Sequence, residues 1–292
     1  MTLLALAVSG RGVVDPSEPV VFADDAAFMR GRAAFETTRV YGGRPFKLDA
    51  HLERLVGSAE RIGLPAPDLD LLRSLAADAL AAGGATDARL RLYWTPGREG
   101  ADEPMALVLV NSLPSGHEAE RARGIRLVGL PLGVSIELRH HAPWVLGGVK
   151  STSYAVNMAA EAEARRRGAD DAVFLAEGDI VLEGPATNVW WRRGDTLFTP
   201  SLEVGILAGV TRATVIELAG AAGYEVEEGV YRLAELAGAE EAFTSSSIRE
   251  LLPVIELDGA PIGDGLPGPA AARLQAALRE VASSTNSGGR VP

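Results

Sequence analysis

The sequence predicts an α+β chain, mixed α/β in its element order, divided into two domains. Three observations carry this. Short apolar runs flank Gly-containing turn signals, two stretches repeat apolar residues at helical spacing, and a polar, turn-rich passage at 114–124 interrupts both patterns. The predicted division is 1–118 as a smaller α/β domain, 119–282 as a larger one, and 283–292 as a tail with the composition of disorder.

The elements follow in chain order. The apolar start, "MTLLALAVSG", lacks a basic leader and soon meets Arg11 and Asp15, so it reads as a first strand rather than a signal peptide. Two apolar runs in 33–48 surround Gly42-Gly43 and predict a hairpin. Asp49 is expected to cap a helix in which Leu52, Leu55, Ala59 and Ile62 share a face and which Gly63 and Pro65 end. "DLDLLRSLAADALAAGG" predicts a second amphipathic helix, and "ARLRLYWTPG" and "MALVLVNSL" predict paired strands. After the 114–124 passage, "IRLVGLPLGV" is a strand and 137–149 an irregular loop containing Trp144. A helix is expected over Ser151–Arg167, then the short strands "AVFLA", "IVLE", "NVWWRR" and "TLFT". A helix over Thr211–Ala222, a strand "EAFTSSS" running into a turn, a strand "PVIELDG" and a helix over Ala270–Val281 complete the chain.

Composition limits the function classes. A net charge of −11 argues against a broad grip on nucleic acid or anionic lipid. With no cysteine, disulfides, thiolate metal sites and cysteine nucleophiles are excluded. The four histidines have no metal-ligating spacing, and the His140-His141 pair is assigned to a polar loop. No apolar run reaches the roughly 20 residues a bilayer span needs. The expected compartment is the cytoplasm.

Among 28 basic residues only Lys47 and Lys150 are lysines. A lysine amine becomes a nucleophile when deprotonated and forms a Schiff base with an aldehyde, which a guanidinium cannot do. Lys150, in "VLGGVKSTSYAVN", therefore has a chemical reason to be retained; the plain alternative is a surface lysine at a helix start. Glu183 ends a strand before a Gly-Pro turn, the kind of carboxylate that is either solvated or the acidic partner of a pyridine nitrogen. "GILAGVTRATVIELA" is a glycine turn opening a helix, whose N–H groups at Val210 and Thr211 suit an anion. "TSSS" at 244–247 adds hydroxyls, and Arg54 a full positive charge. Taken singly, each of these has an ordinary structural reading: helix start, turn, solvated face.

Together they resemble the class IV aminotransferases, the pyridoxal-phosphate enzymes of fold type IV. That group includes branched-chain and D-amino acid aminotransferases and aminodeoxychorismate lyases. The resemblance spans Phe22 to Asp258 and is most specific from Glu183 to Arg212. There the family pattern is a glutamate, an asparagine five residues on, a strand ending in threonine and a glycine turn with a basic residue. This chain has Glu183, Asn188, "LFT" and "LAGVTR"; Pro185 and Trp190 depart from the usual residues. The resemblance implies the two-domain fold type IV architecture, with the larger domain binding pyridoxal 5′-phosphate. It implies Lys150 as the Schiff-base lysine and catalytic residue, Glu183 as the pyridinium partner and Arg54 as a phosphate ligand. Val210, Thr211 and Ser247 would complete the phosphate cup, with Ser246 near the ring and Tyr154 beside the O3′ oxygen. Phe35 would face the substrate.

The implied activity is amino-group transfer between an amino acid or amine and a 2-oxo acid. The alternatives are an aminodeoxychorismate lyase releasing pyruvate and 4-aminobenzoate, and a non-catalytic relative of the fold. A homodimer is implied by the resemblance alone; no metal, nucleic acid or membrane is expected. Two substrate signals are missing. Arg32 stands where many relatives have the aspartate of Gly-Asp-Gly, and "TPGREGADEP" lacks the Arg-x-His carboxylate trap of D-amino acid aminotransferases. Arg98 is the candidate replacement for that trap, but an exposed loop arginine is the simpler reading.

Overall fold

A computed structural model describes residues 1–101 and 103–284. It separates into two compact units, Met1–Ser115 with Val149–Tyr154, and Gly116–Gly148 with Ala155–Val281.

The first unit is built from β1 (Leu3–Val8), β2 (Gly12–Val14), α1 (Ala26–Arg30), β3 (Ala34–Tyr41), β4 (Arg44–Pro45), α2 (Leu48–Arg61), α3 (Leu69–Gly83), β5 (Ala88–Thr95) and β6 (Met105–Asn111). Its strands pair antiparallel in the order β2-β1-β6-β5-β3-β4. Alternation along β3 buries Ala34, Glu36, Thr38 and Val40 and leaves the residues between them half-buried. On the buried side, Leu52 and Leu55 of α2 and Leu72 and Leu75 of α3 pack on Leu90, Leu92, Val108 and Val110. This is the two-layer solution for a sheet with one apolar face. Asp68 caps α3 by accepting from Leu71 N–H, 2.9 Å away.

The second unit contains α4 (His117–Arg123), β7 (Ile125–Pro131), α5 (Ile136–His141), α6 (Ala155–Arg166), β8 (Asp171–Ala176), β9 (Ile180–Val181), β10 (Asn188–Arg193), β11 (Thr196–Pro200), α7 (Val210–Ala219), β12 (Glu225–Gly229), α8 (Leu233–Ala237), β13 (Glu241–Ser246), β14 (Glu250–Leu257), β15 (Ala260–Pro261) and α9 (Pro269–Ser284). The sheet runs β12-β11-β10-β13-β14-β7-β8-β9, with β15 on β14. Adjacent residues of β10 face opposite ways. Trp190 stacks on Phe243 among Val215, Leu274 and Leu278, whereas Trp191 packs with Leu236 and Leu252. Fully burying an aromatic of this size contributes on the order of 2–3 kcal/mol.

A buried carboxylate fixes α9. Glu241 accepts from Ala270 N–H (3.0 Å) and Ala271 N–H (2.8 Å) at the start of that helix and from Arg192 Nε (3.3 Å). A negative charge there is favourable because the first turn leaves N–H groups without helical partners. Gly268 is required by the same contact, since a Cβ on it would lie 2.2 Å from Glu241 Cδ.

Four expectations are corrected. Asp49 does not cap α2: the N-cap is Lys47, in the left-handed region at φ 49°, and Asp49 sits in the first turn, where it pairs with Arg73 at 3.0 Å. The stretch 137–149 is not wholly irregular: α5, capped by Ser135, carries His140 and His141 in its last turn, and a 3-10 turn covers Pro143–Val145. The helix expected from Ser151 begins at Ala155, because Ser151 bridges Ala34 and Thr152 N–H donates to Ala33 O in the first unit. Val149–Tyr154 groups with Met1–Ser115. Ser283 and Ser284, given to the tail, lie in α9; the rest of that tail, 285–292, lies outside the described residues. No helix among the described residues is long and apolar enough to cross a membrane.

Replacing Glu241 with Ala would remove the acceptor of Arg192 Nε and of two helix N–H groups in a buried setting. The expected cost is about 2–4 kcal/mol, read as a lower urea midpoint at unchanged slope.

Candidate active site

Lys150 is carried to the first unit by backbone pairing. Phe35 N–H donates to Lys150 O (3.1 Å), Thr152 N–H to Ala33 O (2.9 Å), and Ser151 bridges Ala34. Lys150 N–H donates in turn to Ser58 Oγ on α2 (3.2 Å). Gly31 permits the approach: its φ is +64°, and a Cβ there would lie 2.8 Å from Ser153 Oγ. The result places Lys150 Nζ 4.4 Å from the Phe35 ring centroid. Tyr154 meets that ring edge-on and Tyr93 stacks on it, both at 5.7 Å. Arg91 Nη1 donates to Tyr93 OH at 3.2 Å, which brings a guanidinium to the same aromatic wall.

Arg54 is part of a buried charge cluster in this unit. Its Nε and Nη2 donate to the two oxygens of Glu36, each at 2.7 Å, and His51 Nδ1 lies 2.7 Å from Glu36 Oε2. Glu36 and His51 are almost completely buried, and the Arg54 side chain is 13% exposed. Burial pushes the Glu36 carboxyl up, but the charge of Arg54 and the bonds from Arg54 and His51 outweigh it and hold it well below the usual range. Glu36 is thus an ionised acceptor, and the His51 nitrogen facing it carries a proton. Burial holds His51 below its ordinary value despite the attraction of Glu36. Arg54 is therefore held by a bidentate fork in one orientation rather than left to sample rotamers.

The two arginines of the missing substrate signals have structural partners. Arg32 donates to Gly63 O (2.6 Å) and Ile62 O (3.4 Å), satisfying carbonyls where α2 ends. Arg98 grips Asp24 through Nε and Nη2 at 2.8–3.0 Å and lies over the Phe22 ring.

Glu183 belongs to the second unit. Phe174 N–H donates to its carbonyl (2.8 Å), extending the pairing with β8, and Leu207 N–H donates to its Oε2 (3.0 Å). Asn188 Nδ2 donates to Leu207 O (3.0 Å), so one residue is gripped from both sides. Gly209 is the N-cap of α7 and no side chain caps that helix; a Cβ there would lie 2.0 Å from Asn188 Oδ1. Val210 and Thr211 occupy the first turn, where N–H groups and the helix dipole favour an anion. Asn188 also pairs with Ser245 of β13. Ser245 Oγ accepts from Trp190 Nε1 (3.0 Å), Ser246 Oγ accepts from Arg249 N–H (3.3 Å), and Ser247 lies in the turn that follows. The buried hydroxyls of Thr187 and Thr244 have no hydrogen-bond partner among the described residues.

The expected residues therefore fall into two sets. Lys150, Phe35, Tyr154 and Arg54 belong to the first unit; Glu183, Val210, Thr211, Ser246 and Ser247 belong to the second. The chemistry of both sets fits pyridoxal phosphate. An amine lies against an aromatic wall, a carboxylate is held by a backbone donor, and a helix start uncapped by a side chain shares its unit with unsatisfied hydroxyls. The sequence reading missed Glu36, His51, Tyr93 and Arg91. The His-x-x-Arg spacing at 51–54, one helical turn, was the available signal for the cluster.

Residues 33–257 match the model of the amino-transferase class IV family. The chain is 36% identical over 257 residues to the bifunctional aminodeoxychorismate lyase / D-amino acid transaminase of Mycobacterium tuberculosis (strain ATCC 25618 / H37Rv), covering 85% of this chain and 89% of the relative. It is 32% identical over 273 residues to the aminodeoxychorismate lyase of Bacillus subtilis (strain 168), covering 88% and 87%. The PLP-bound structure of a hypothetical aminotransferase from Mycobacterium tuberculosis superimposes with a TM-score of 0.89 at 32% identity, covering 96% of this chain and 99% of that one.

The Glu36 cluster has a pH signature. Both groups have depressed folded values, so each contributes stability above its unfolded value that is lost as pH falls. Unfolding measured across pH is expected to show one acid limb below about 6.5 from His51 and another below about 4.5 from Glu36. Glu36→Gln should cost about 3 kcal/mol at neutral pH and shrink the lower limb.

Proposed function

The chain belongs to the class IV aminotransferases, a family of pyridoxal-phosphate enzymes, and we propose that it moves an amino group between an amino acid or amine and a 2-oxo acid. The observation that carries this is Lys150, a rare lysine set by backbone pairing against an aromatic wall, in a chain that also keeps a carboxylate and an anion-binding helix start.

Pyridoxal phosphate, when bound, supplies an electrophilic aldehyde and an electron-accepting ring. Lys150 Nζ would hold the cofactor through its aldehyde carbon, and as a free amine it would serve as the base that takes and returns the proton of the substrate's α-carbon. Glu183 would accept a hydrogen bond from the protonated ring nitrogen, while Leu207 N–H donates to its Oε2. Arg54 binds the phosphate as a cation, oriented by Glu36; Val210 and Thr211 bind it through N–H groups, and Ser247 through its hydroxyl. Ser246 would lie near the ring, and Tyr154 would donate to the O3′ oxygen. Phe35 and Tyr93 line the substrate side, where Arg91 offers a cation to a substrate carboxylate. The chain acts as a homodimer in the cytoplasm.

A second reading has its own support. Aminodeoxychorismate cleavage uses the same amine, ring partner and phosphate site, and two relatives carry that activity in their names. The name of one of them also puts D-amino acids on the donor panel.

Added pyridoxal phosphate should give the purified protein a visible absorbance band that Lys150→Ala abolishes; a protein that stays colourless would overturn the enzyme reading. Amino transfer to 2-oxo acids from a panel of L- and D-amino acids and amines supports the first choice. Release of pyruvate and 4-aminobenzoate from aminodeoxychorismate without any acceptor, and no transfer in the panel, would replace it. Arg91→Gln is expected to raise KM for the 2-oxo acid about tenfold with a smaller change in kcat, since a charge-assisted bond contributes on the order of 1.5–3 kcal/mol.

A further inference from the structure

Arg139 lies on α5, in a stretch where the sequence predicts irregular loop. Its guanidinium reaches back to the segment before α7. Nη2 donates to Gly205 O at 2.5 Å and Nε to Val204 O at 3.3 Å. The slot around it is shaped by two glycines. A Cβ on Gly205 (φ +78°) would lie 3.1 Å from Arg139 Cβ and 3.2 Å from its Nε, and a Cβ on Gly147 would lie 3.4 Å from its Cζ. A close-fitting, half-buried cation is costly unless its surroundings compensate it.

Two residues beyond Gly205, Leu207 donates its N–H to Glu183 Oε2 and offers its carbonyl to Asn188 Nδ2. The segment from 204 to 207 is therefore held at one end by Arg139 and at the other by Asn188, with Glu183 reading the position of the second end. Glu183 also attracts the guanidinium, opposing the burial that lowers the proton affinity of Arg139.

We propose that Arg139 is a positioning residue for Glu183: it fixes the 204–207 segment so that Leu207 N–H stays on Glu183 Oε2, and it sets a fixed cation in the field of that carboxylate. The consequence is electrostatic as well as geometric. A carboxylate with a backbone donor and a nearby cation is a weaker base, so a proton shared with a ring nitrogen stays on the nitrogen. The inference rests on the reading that Glu183 faces the cofactor's ring nitrogen, and adds a residue that touches neither cofactor nor substrate.

The test is a double-mutant cycle read by cofactor affinity rather than by turnover. Wild type, Arg139→Gln, Glu183→Gln and the double variant are titrated with pyridoxal phosphate by fluorescence, with urea unfolding run alongside. Arg139→Gln is expected to weaken binding about tenfold, about 1.4 kcal/mol. In the Glu183→Gln background the same change should cost less than twofold. Arg139→Lys, which keeps the charge and loses the fork, should recover part of the affinity, and it carries the same cycle if Arg139→Gln does not fold. Equal losses in both backgrounds would overturn the proposal, leaving Arg139 as a brace of the segment alone; so would no loss in either. If the wild type binds no pyridoxal phosphate, the cofactor reading fails first, and with it this one.

Discussion

The hydrogen bonds from Phe35 N–H to Lys150 O and from Thr152 N–H to Ala33 O take six residues out of the run of the second unit and bind them to the first. Each bond contributes only on the order of 1 kcal/mol net, but each is directional, and together they set the register of the segment. Register decides which way Lys150 projects; a slip of one residue would exchange its side with that of Ser151. Ser58 Oγ and Ser153 Oγ secure the two ends of the same stretch, the second by donating to Gly31 O. The aromatic wall of Phe35, Tyr93 and Tyr154 then has a fixed amine to face. A reactive lysine needs this kind of support, because its four-carbon stem otherwise spreads over many rotamers.

Buried carboxylates organise the rest. Glu36, Glu241 and Glu250 are each nearly inaccessible, and each is met by several donors. Glu241 serves a helix start. Glu250 ties β14 to α4 and α9 through Arg121, Gln275 and Arg279. It does so from a left-handed backbone position, φ 57°, that closes the turn bearing Ser247. Burying such charges seldom adds stability over an apolar core of the same volume, whereas removing one partner is costly. Their value here lies in direction. Glu36 is the informative case, since it commits two nitrogens of Arg54 and so fixes the plane of a guanidinium. An arginine that is already oriented loses less entropy on binding an anion than a free one.

Most of the fold was legible because its signals are local. The hairpin at Gly42-Gly43 and the helix capped by Asp68 follow from turn chemistry and periodicity, as do the paired strands at 88–95 and 105–111. The errors share a cause. Ser151–Tyr154 has helix-compatible residues, but its partners lie more than a hundred positions away, and long-range pairing overrides propensity. The α5 stretch is short and has no apolar stripe, so no period marks it. The site divides in the same way. Lys150, Glu183 and the 207–212 turn carry residue types that the cofactor's chemistry demands, and these can be read in one dimension. Glu36, His51, Arg91 and Tyr93 are ordinary residues on a strand or helix; their meaning comes from register across β3, β5 and α2.

That difference bears on why the cofactor is easier to read than the reaction. Amino transfer and aminodeoxychorismate cleavage both need an amine, an electron-poor ring and a bound phosphate, so the residues supplying these cannot differ between them. What differs is how long the released side of the substrate is held and which bond is aligned with the ring, and that is decided by the surface facing the substrate. On the proposed reading that surface is the half-buried aromatic wall of Phe35, Tyr93 and Tyr154, with Arg91 as a cation reached through Tyr93 rather than the Arg-x-His trap whose absence the sequence already registers. Arg98, the other arginine near that position, is committed to Asp24 and Phe22. The strand register sets Phe35 opposite Tyr93 across β3 and β5, whereas Glu183 lies between β9 and β10, and Val210 and Thr211 open α7. On the proposed roles Lys150 belongs with the substrate wall, since its amine lies against Phe35 and its backbone pairs with β3, so a change of that wall also reaches the catalytic amine.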